Sequence, residues 1–194
     1  MLNRSISAIH SKLKKTNWCV ITGAPSSGKT TIINALSVRG FQTAPEIARA
    51  YLKQLLNEDP EAFDNYRGKY IVQNKILELK MARENQLPSD ALIFFDRGIP
   101  DSLAYYRYYQ LETDQVMEKM RLYQYAYVFY LEGLPVIYDE IRHEDEVEAR
   151  KIGEHIYQAY RDLGYQVIRI PPAPVEQRIT LILSSISTSC LNQK

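Results

Sequence analysis

Five short apolar runs alternate along the chain with longer stretches in which apolar residues recur every three or four positions. The runs lie at residues 18–22, 41–44, 91–96, 127–131 and 166–170. Short apolar runs rich in β-branched and aromatic residues predict buried strands, and the intervening periodicity predicts amphipathic helices. Strands that alternate with helices predict a parallel sheet with helices on both faces.

Apolar stripes predict a helix in each interval between the strands, the longest from residue 63 or 64 to about residue 84. A further stripe of Leu2, Ile6, Ile9 and Leu13 predicts an N-terminal helix over residues 2–15 that docks on the rest of the chain. A chain of 194 residues is expected to form one domain over residues 1–194 with a core of its own.

The segment between the first strand and the first helix matches the phosphate-loop pattern G-x-x-x-x-G-K-[ST]. Its two glycines permit backbone angles that let successive N–H groups face an anion, and the following helix adds its positive end. Lys29 is expected to reach the outer phosphates, and Thr30 to hold Mg²⁺. The alternative is a glycine-rich turn before an ordinary helix. The predicted nucleotide-binding residues are Gly23, Ala24, Pro25, Ser26, Ser27, Gly28, Lys29, Thr30 and Thr31.

Carboxylates follow two other predicted strands, and ligands of open parallel sheets bind at the carboxyl ends of strands. Asp96 ends the third strand, where it could bind Mg²⁺ through water or take a proton from a hydroxyl, with Arg97 gripping an anionic group. The alternative is that Asp96 caps the next helix and pairs with Arg97. Glu46 is either a second base or substrate contact, or an acid favoured by a helix dipole, with Arg49 as its partner.

The positions of two arginines predict that about residues 133–150 form a lid. Arg142 and Arg150 flank the start of the helix after the fourth strand. Phosphoryl transfer needs positive charge at the transferring group, usually from a mobile segment that also excludes water. Asp139 is a weaker candidate for a metal or nucleotide contact. The alternative is an exposed helix start in which Glu146 and Arg150 form an i,i+4 pair.

Aromatic and amide side chains add candidates for recognising a base. A cluster of four tyrosines follows Asp96 and Arg97, and it either packs into the core and surface or stacks on a base or a nicotinamide-like ring. Gln73 and Asn74 either bond a base edge or are ordinary exposed helix residues. The clustered tyrosines are Tyr105, Tyr106, Tyr108 and Tyr109.

Composition narrows the choice of partners and compartment. The net charge is +1, with charged residues spread along the chain, so no nucleic-acid partner is expected. No apolar run is long enough to span a bilayer, and a total of two cysteines fits a reducing cytoplasm. The absence of an Asn-Lys-x-Asp signature favours ATP over GTP.

The chain resembles the small stand-alone AAA-type ATPase and kinase-like domains grouped with the ribosylnicotinamide kinase domain of bacterial NAD regulators. Its Asp96-Arg97 pair is also similar to that of thymidylate and deoxynucleoside kinases. The resemblance implies a three-layer α/β/α P-loop NTPase fold of the nucleoside/nucleotide-kinase type, with five parallel strands in the order 2-3-1-4-5. The segments that carry it are residues 23–30, 45–49, 94–101, 142–150 and 163–165.

The resemblance also implies roles for individual residues. Lys29 and Thr30 would bind phosphate and Mg²⁺, Asp96 and Arg97 would serve the acceptor side, and Arg142 and Arg150 would be lid arginines. The residue pattern itself makes Thr30 and Asp96 the expected Mg²⁺ residues, and Asp96 is also expected to activate the acceptor hydroxyl. The expected activity is that of an ATP- and Mg²⁺-dependent kinase acting on a small hydroxyl acceptor, such as a nucleoside or a nicotinamide riboside-like metabolite. The alternative is a nucleotide-dependent switch or simple ATPase that acts through a protein or phosphoinositide partner. The expected catalytic residues are Lys29, Asp96, Arg97, Arg142, Arg150 and Glu46.

Overall fold

The computed structural model of the chain describes residues 13–66, 68–120, 123–133 and 145–186. Within these residues a five-stranded, fully parallel sheet has the spatial order β2-β3-β1-β4-β5. The predicted sheet and its order 2-3-1-4-5 are therefore confirmed. The strands are β1 (Cys19–Gly23), β2 (Gln42–Ala44), β3 (Ile93–Asp96), β4 (Tyr127–Leu131) and β5 (Val167–Ile170).

Helices cover both faces of this sheet because successive side chains of each strand point to opposite sides. Cys19 and Ile21 of β1 pack on one face with two helices, Lys29–Val38 and Val175–Ser184. Val20 packs on the other face with three helices, Tyr70–Gln86, Pro100–Tyr108 and Glu146–Asp162. None of the described helices has the length and apolar character needed to cross a membrane. The helices are α1 (Lys29–Val38), α2 (Ile47–Glu58), α3 (Pro60–Tyr66), α4 (Tyr70–Gln86), α5 (Pro100–Tyr108), α6 (Asp114–Met120), α7 (Glu146–Asp162) and α8 (Val175–Ser184).

The predicted helix from residue 63 to residue 84 is wrong, because two helices, α3 and α4, occupy this stretch. Pro60 begins α3, which suits a residue without an N–H to donate. Gly68 lies in the break between the two helices, and a Cβ built on it would come within 2.7 Å of the Tyr109 ring. Glycine is a poor helix former, and here it also gives α5 room to approach.

The predicted N-terminal helix is wrong at its C-terminal end. Lys14 and Lys15 form a two-residue strand that pairs in parallel with Tyr123–Gln124. The Thr16 N–H and hydroxyl both donate to the Gln124 carbonyl at 3.0 Å, which holds this backbone extended. Leu13 is 51% exposed. The rest of the predicted helix, residues 2–12, lies outside the described residues.

Candidate functional site

The predicted phosphate loop joins β1 to α1 through three residues with positive φ. Gly23, Ser26 and Gly28 have φ values of 142°, 63° and 87°. A Cβ on Gly23 would lie 2.5 Å from the main-chain oxygen of Leu131, so only glycine fits beside β4. The curled loop therefore starts and ends at glycines, and Lys29 begins the helix that follows.

Lys29 folds back over this loop and is buried. Its Nζ donates to the Ala24 carbonyl at 2.6 Å and to Ser27 Oγ at 3.2 Å. Burial and the nearby Arg97 guanidinium lower the pKa of Lys29 to about 7, against the opposing carboxylate of Asp96. An anion placed at the loop would favour the charged form of this lysine.

Thr30 and Asp96 meet at the start of α1 and the end of β3. The Thr30 hydroxyl donates to Asp96 Oδ2 at 2.7 Å, and the other carboxylate oxygen, Oδ1, is buried with no hydrogen-bond partner among the described residues. Burial and the charge of Glu46 raise the pKa of Asp96 to about 6. Asp96 therefore bonds α1 rather than capping α5. Thr31 is exposed on the first turn of α1.

Arg97 connects the ends of three segments around the site. Its Nε donates to Glu46 Oε1 at 2.8 Å, and its Nη1 donates to Asp101 Oδ1 at 2.8 Å and to the Gly23 carbonyl at 3.3 Å. Its backbone has a φ of 65°, an uncommon conformation for a residue with a Cβ. The guanidinium thus links the phosphate loop, the N-terminus of α2 and α5, with the Tyr105 ring 5.7 Å away.

Glu46 faces this arginine from the N-terminus of α2 and makes no capping bond with its side chain. Burial alone raises the pKa of Glu46, but the charges of Arg97, Lys29 and Lys80 outweigh it and lower the pKa below its usual value. Glu46 is therefore ionised at neutral pH. Glu46 is thus a half-buried, ionised carboxylate close to the phosphate loop, and it can accept a proton or a hydrogen bond from a ligand there.

Asp101 and Lys80 are buried residues that the sequence prediction did not include in the site. Asp101 accepts bonds from Thr22, Arg97, Tyr160 and the Gly98 N–H. Lys80 Nζ donates to the Gly98 carbonyl at 3.0 Å and to Ser102 Oγ at 3.2 Å. They brace Arg97 and the turn after β3. Lys80 lies on the apolar face of α4, and a lysine at such a position was the available signal.

The predicted lid is described only at its ends. Arg142 and Asp139 lie outside the described residues, as do the other residues between 134 and 144. Arg150 is exposed on α7 and makes no ion pair within the described part of the chain, so a pair with Glu146 is not formed there. It lines a cavity of about 590 Å³ together with Ala24, Pro25, Tyr130 and Arg169.

The four tyrosines of the cluster lie in different environments, some packed against other residues and one hydrogen-bonded. Tyr106 is completely buried in the core, and the Tyr109 ring packs against Gly68. The Tyr108 hydroxyl donates to Glu148 Oε1 at 2.9 Å and so ties α5 to the start of α7. The Tyr105 ring lies beside Arg97, a predicted site residue.

The two amides of α4 also differ. Asn74 bonds Glu78 at 2.8 Å on the exposed face, as an ordinary helix residue does, whereas Gln73 is buried. Gln73 thus lies on the face of α4 that turns toward α5 and the sheet.

The chain is similar to one protein family and to several solved structures. The family model described as AAA domain matches residues 18–178, and no curated protein matches the chain. The NadR protein in complex with NAD and AMP-PNP is similar, with a TM-score of 0.66 and 16% identity over 89% of this chain and 50% of that chain. The chain therefore spans about half the length of that protein.

Two further structures match over nearly their whole length. They are deoxyadenosine kinase from M. mycoides (TM-score 0.60, 16% identity, 87% of this chain and 97% of that chain) and thymidylate kinase from Candida albicans (TM-score 0.55, 16% identity, 94% of each chain). Identities this low show a common fold. Because the AAA model extends from the residue before β1 into α8, the suspected resemblance is confirmed, and the chain belongs to the AAA domain family of P-loop proteins.

Proposed function

We propose that the chain is an ATP- and Mg²⁺-dependent kinase that phosphorylates a small hydroxyl acceptor, such as a nucleoside or a nicotinamide riboside-like metabolite. The observation that carries this proposal is the presence of two differently held carboxylates beside one phosphate loop. Asp96 bonds Thr30 of α1, and Glu46 pairs with Arg97. A nucleotide-dependent switch needs the Asp96 carboxylate to bind its metal, but it does not need the Glu46 carboxylate.

Thr30 and Asp96 fit a magnesium ion. Mg²⁺ prefers oxygen ligands, and Oδ1 of Asp96 is a buried acceptor with no hydrogen-bond partner among the described residues. The described residues contain no group of three or more His, Cys, Asp or Glu side chains that could hold a metal. Most remaining ligands would therefore be phosphate oxygens and water, as Mg²⁺ prefers. When bound, Mg²⁺ neutralises charge on the transferring phosphoryl group.

Glu46 is the proposed general base. It is ionised, and Arg97 fixes its Oε1 at 2.8 Å. Glu46 takes the proton of the acceptor hydroxyl as that oxygen bonds to the γ-phosphorus, and the bond from phosphorus to the β–γ bridging oxygen breaks to release ADP. Lys29 and the loop amides hold the phosphates, and Arg142 and Arg150 supply positive charge from the lid.

Acceptor-dependent ADP release tests the proposal across a panel of nucleosides and pyridine ribosides with ATP and Mg²⁺. At least one acceptor should stimulate release and yield a phosphorylated product. Glu46→Gln should lower kcat by about 10²- to 10⁴-fold and change the Kd for ATP little. Glu78→Gln, which alters a carboxylate bonded to Asn74 on the exposed face of α4, is the matched control.

A different result would favour the alternative class. Tight ATP binding with no stimulation by any acceptor, together with wild-type ATP hydrolysis in Glu46→Gln, would refute the kinase. A nucleotide-dependent switch or a simple ATPase would then explain the phosphate loop, and nucleotide-dependent pull-down of a partner would follow.

A further inference from the structure

Arg178 in α8 is a buried arginine that bonds the phosphate loop at a different carbonyl from the one that Arg97 bonds. It is 2% exposed. Its Nη1 donates to the Ser27 carbonyl at 2.7 Å, its Nη2 to the Glu132 carbonyl at 3.0 Å and its Nε to the Pro171 carbonyl at 3.0 Å. These three oxygens belong to the loop, to the residue after β4 and to the residue after β5. One guanidinium therefore ties the loop to the ends of two strands.

The bond to Ser27 decides which way the next amide faces. A peptide unit is planar, and in the trans form its C=O and N–H point in opposite directions. Because the Ser27 carbonyl points at Arg178, the Gly28 N–H points away from α8. Gly28 directly precedes Lys29 and has a φ of 87°. At the other end of the loop, the Gly23 carbonyl is held by Arg97, so an arginine fixes each end.

No carboxylate of the described residues pairs with Arg178. Among the described residues, its hydrogen-bond partners are main-chain carbonyls, and the nearby Glu132 carboxylate bonds Arg169 at 2.8 Å. Burial lowers the pKa of Arg178, and Glu132 opposes this only in part. A buried cation without a paired anion is costly. A cation behind a loop that binds anions has a compensating use, because phosphate charge on the far side of the loop would stabilise it.

We propose that Arg178 is a positioning residue for phosphate binding, which turns the Gly28 N–H toward the phosphates and adds buried positive charge behind the loop. This role rests on the proposed binding of ATP. Lysine cannot replace it fully, since an ammonium group is a point charge without the planar fork that reaches three carbonyls in fixed directions. Arg178 thus makes two contributions to phosphate binding, namely its positive charge and the orientation of the peptide between Ser27 and Gly28.

Binding measurements on the full chain test this role. Arg178→Lys keeps the charge, Arg178→Met removes it, and Ile182→Val trims a buried side chain of α8 in the apolar core. Calorimetric titration uses two probes, Mg-ATP and Mg-tripolyphosphate, and thermal unfolding without ligand reports the loss of stability. Arg178→Met should bind both probes at least about tenfold more weakly, or about 1.4 kcal/mol. Arg178→Lys should fall between Arg178→Met and wild type, and Ile182→Val should match wild type.

A second measurement needs no substitution. In a ¹⁵N-labelled wild-type chain, the Gly28 amide resonance should move strongly downfield when Mg-tripolyphosphate is added. A Gly28 amide that stays unchanged while neighbouring loop amides shift would overturn the proposed orientation.

The outcomes separate the two proposals. If the wild-type chain binds both probes while both Arg178 variants bind as tightly as Ile182→Val, only the role of Arg178 is refuted. If the wild-type chain binds neither probe, the proposed function fails, and the role of Arg178 fails with it.

Discussion

Replacing Asp101 by asparagine removes one negative charge from a carboxylate that the fold encloses completely. Asp101 has no exposed surface. Its Oδ1 accepts bonds from Thr22 and Arg97, and its Oδ2 accepts bonds from Tyr160 and the Gly98 N–H. An asparagine of the same shape places an NH₂ group against donors and leaves Arg97 with Glu46 as its charged partner in the site.

The expected loss of stability is large for a change of this size. Breaking a buried ion pair by removing one partner costs about 3–5 kcal/mol, because the remaining charge stays buried. A further buried donor loses its acceptor when the amide replaces an oxygen. Asp101→Asn should therefore lower the free energy of unfolding by about 3–5 kcal/mol. This is a large part of the total, because whole domains are stable by only about 5–15 kcal/mol.

Urea unfolding measures this loss through the fluorescence of Trp18, the chain's single tryptophan, which is fully buried against Phe95. Asp162→Asn is the matched control, because Asp162 pairs with Arg107 at 2.7 Å while the two side chains are 30% and 24% exposed. Exposed pairs contribute about 0–1 kcal/mol. An equally small loss in Asp101→Asn would refute the reasoning.

The same variant should also change the response to acid. Burial alone raises the pKa of Asp101, but the charges of Arg97 and Lys80 and two hydroxyl bonds outweigh it and lower the pKa. A carboxylate whose folded pKa lies below its unfolded value of about 3.9 stabilises the fold above that pH, and this stability is lost as the pH falls through the folded pKa. The difference between wild type and Asp101→Asn should therefore be constant near neutral pH and shrink below about pH 4.

Three further predictions concern single groups of the fold and the site. Burial raises the pKa of Glu84 to about 7, so its contribution to stability falls as the pH rises from about 4 through 7. The difference in unfolding free energy, Glu84→Gln minus wild type, should therefore increase by about 1–3 kcal/mol between about pH 4.5 and about pH 8 in urea unfolding. Gly23→Ala meets a main-chain oxygen at 2.5 Å with a φ of 142° and should lose about 3 kcal/mol or more in thermal unfolding. Gly133→Ala, which meets no atom of the described residues within 4 Å, should lose less than about 1 kcal/mol. Thr30→Val should lower the Mg²⁺-dependent part of ATP affinity about tenfold, by about 1.4 kcal/mol, while Thr30→Ser retains it; titrations with and without Mg²⁺ measure both.

The sheet was predictable because its information is local. Each strand is a short apolar run and each interval carries a helical stripe, whereas the order of the strands came from the family resemblance. The paired strands Lys14–Lys15 and Tyr123–Gln124 were missed, because two-residue strands with polar members carry no alternating pattern. The break between α3 and α4 was missed for a related reason: the apolar stripe continues across it, and the contact at Gly68 is with a distant residue.

The sequence could predict that charged residues gather at the strand ends, but not which charged residues support them from inside the helices. Asp96, Arg97 and Glu46 follow strands, so the carboxyl-end rule reaches them. Lys80, Asp101 and Arg178 lie inside helices, where a charged residue is normally exposed, and their partners are distant in sequence. Position on an apolar face was the available signal: Lys80 follows Gln73 and Leu77 along one side of α4, and Arg178 precedes Ile179 and Ile182 on the buried side of α8.

Asp96 and Asp101 are only five residues apart, but one is available to a ligand and the other holds the fold together. Both oxygens of Asp101 have protein partners, so this side chain has little capacity left for a ligand. Asp96 has one bonded oxygen and one buried oxygen without a partner among the described residues, and such an acceptor costs free energy unless something else occupies it. Arg97 stands between them in a strained backbone conformation that its bonds hold in place. The satisfied carboxylate thus fixes the arginine, and the unsatisfied one remains open to a cation. Asp101 holds Arg97 and Asp96 is open to a cation, so the two roles belong to separate residues. Asp96→Asn should therefore weaken Mg²⁺-dependent ATP binding and leave the free energy of unfolding nearly unchanged, whereas Asp101→Asn should mainly lower the free energy of unfolding.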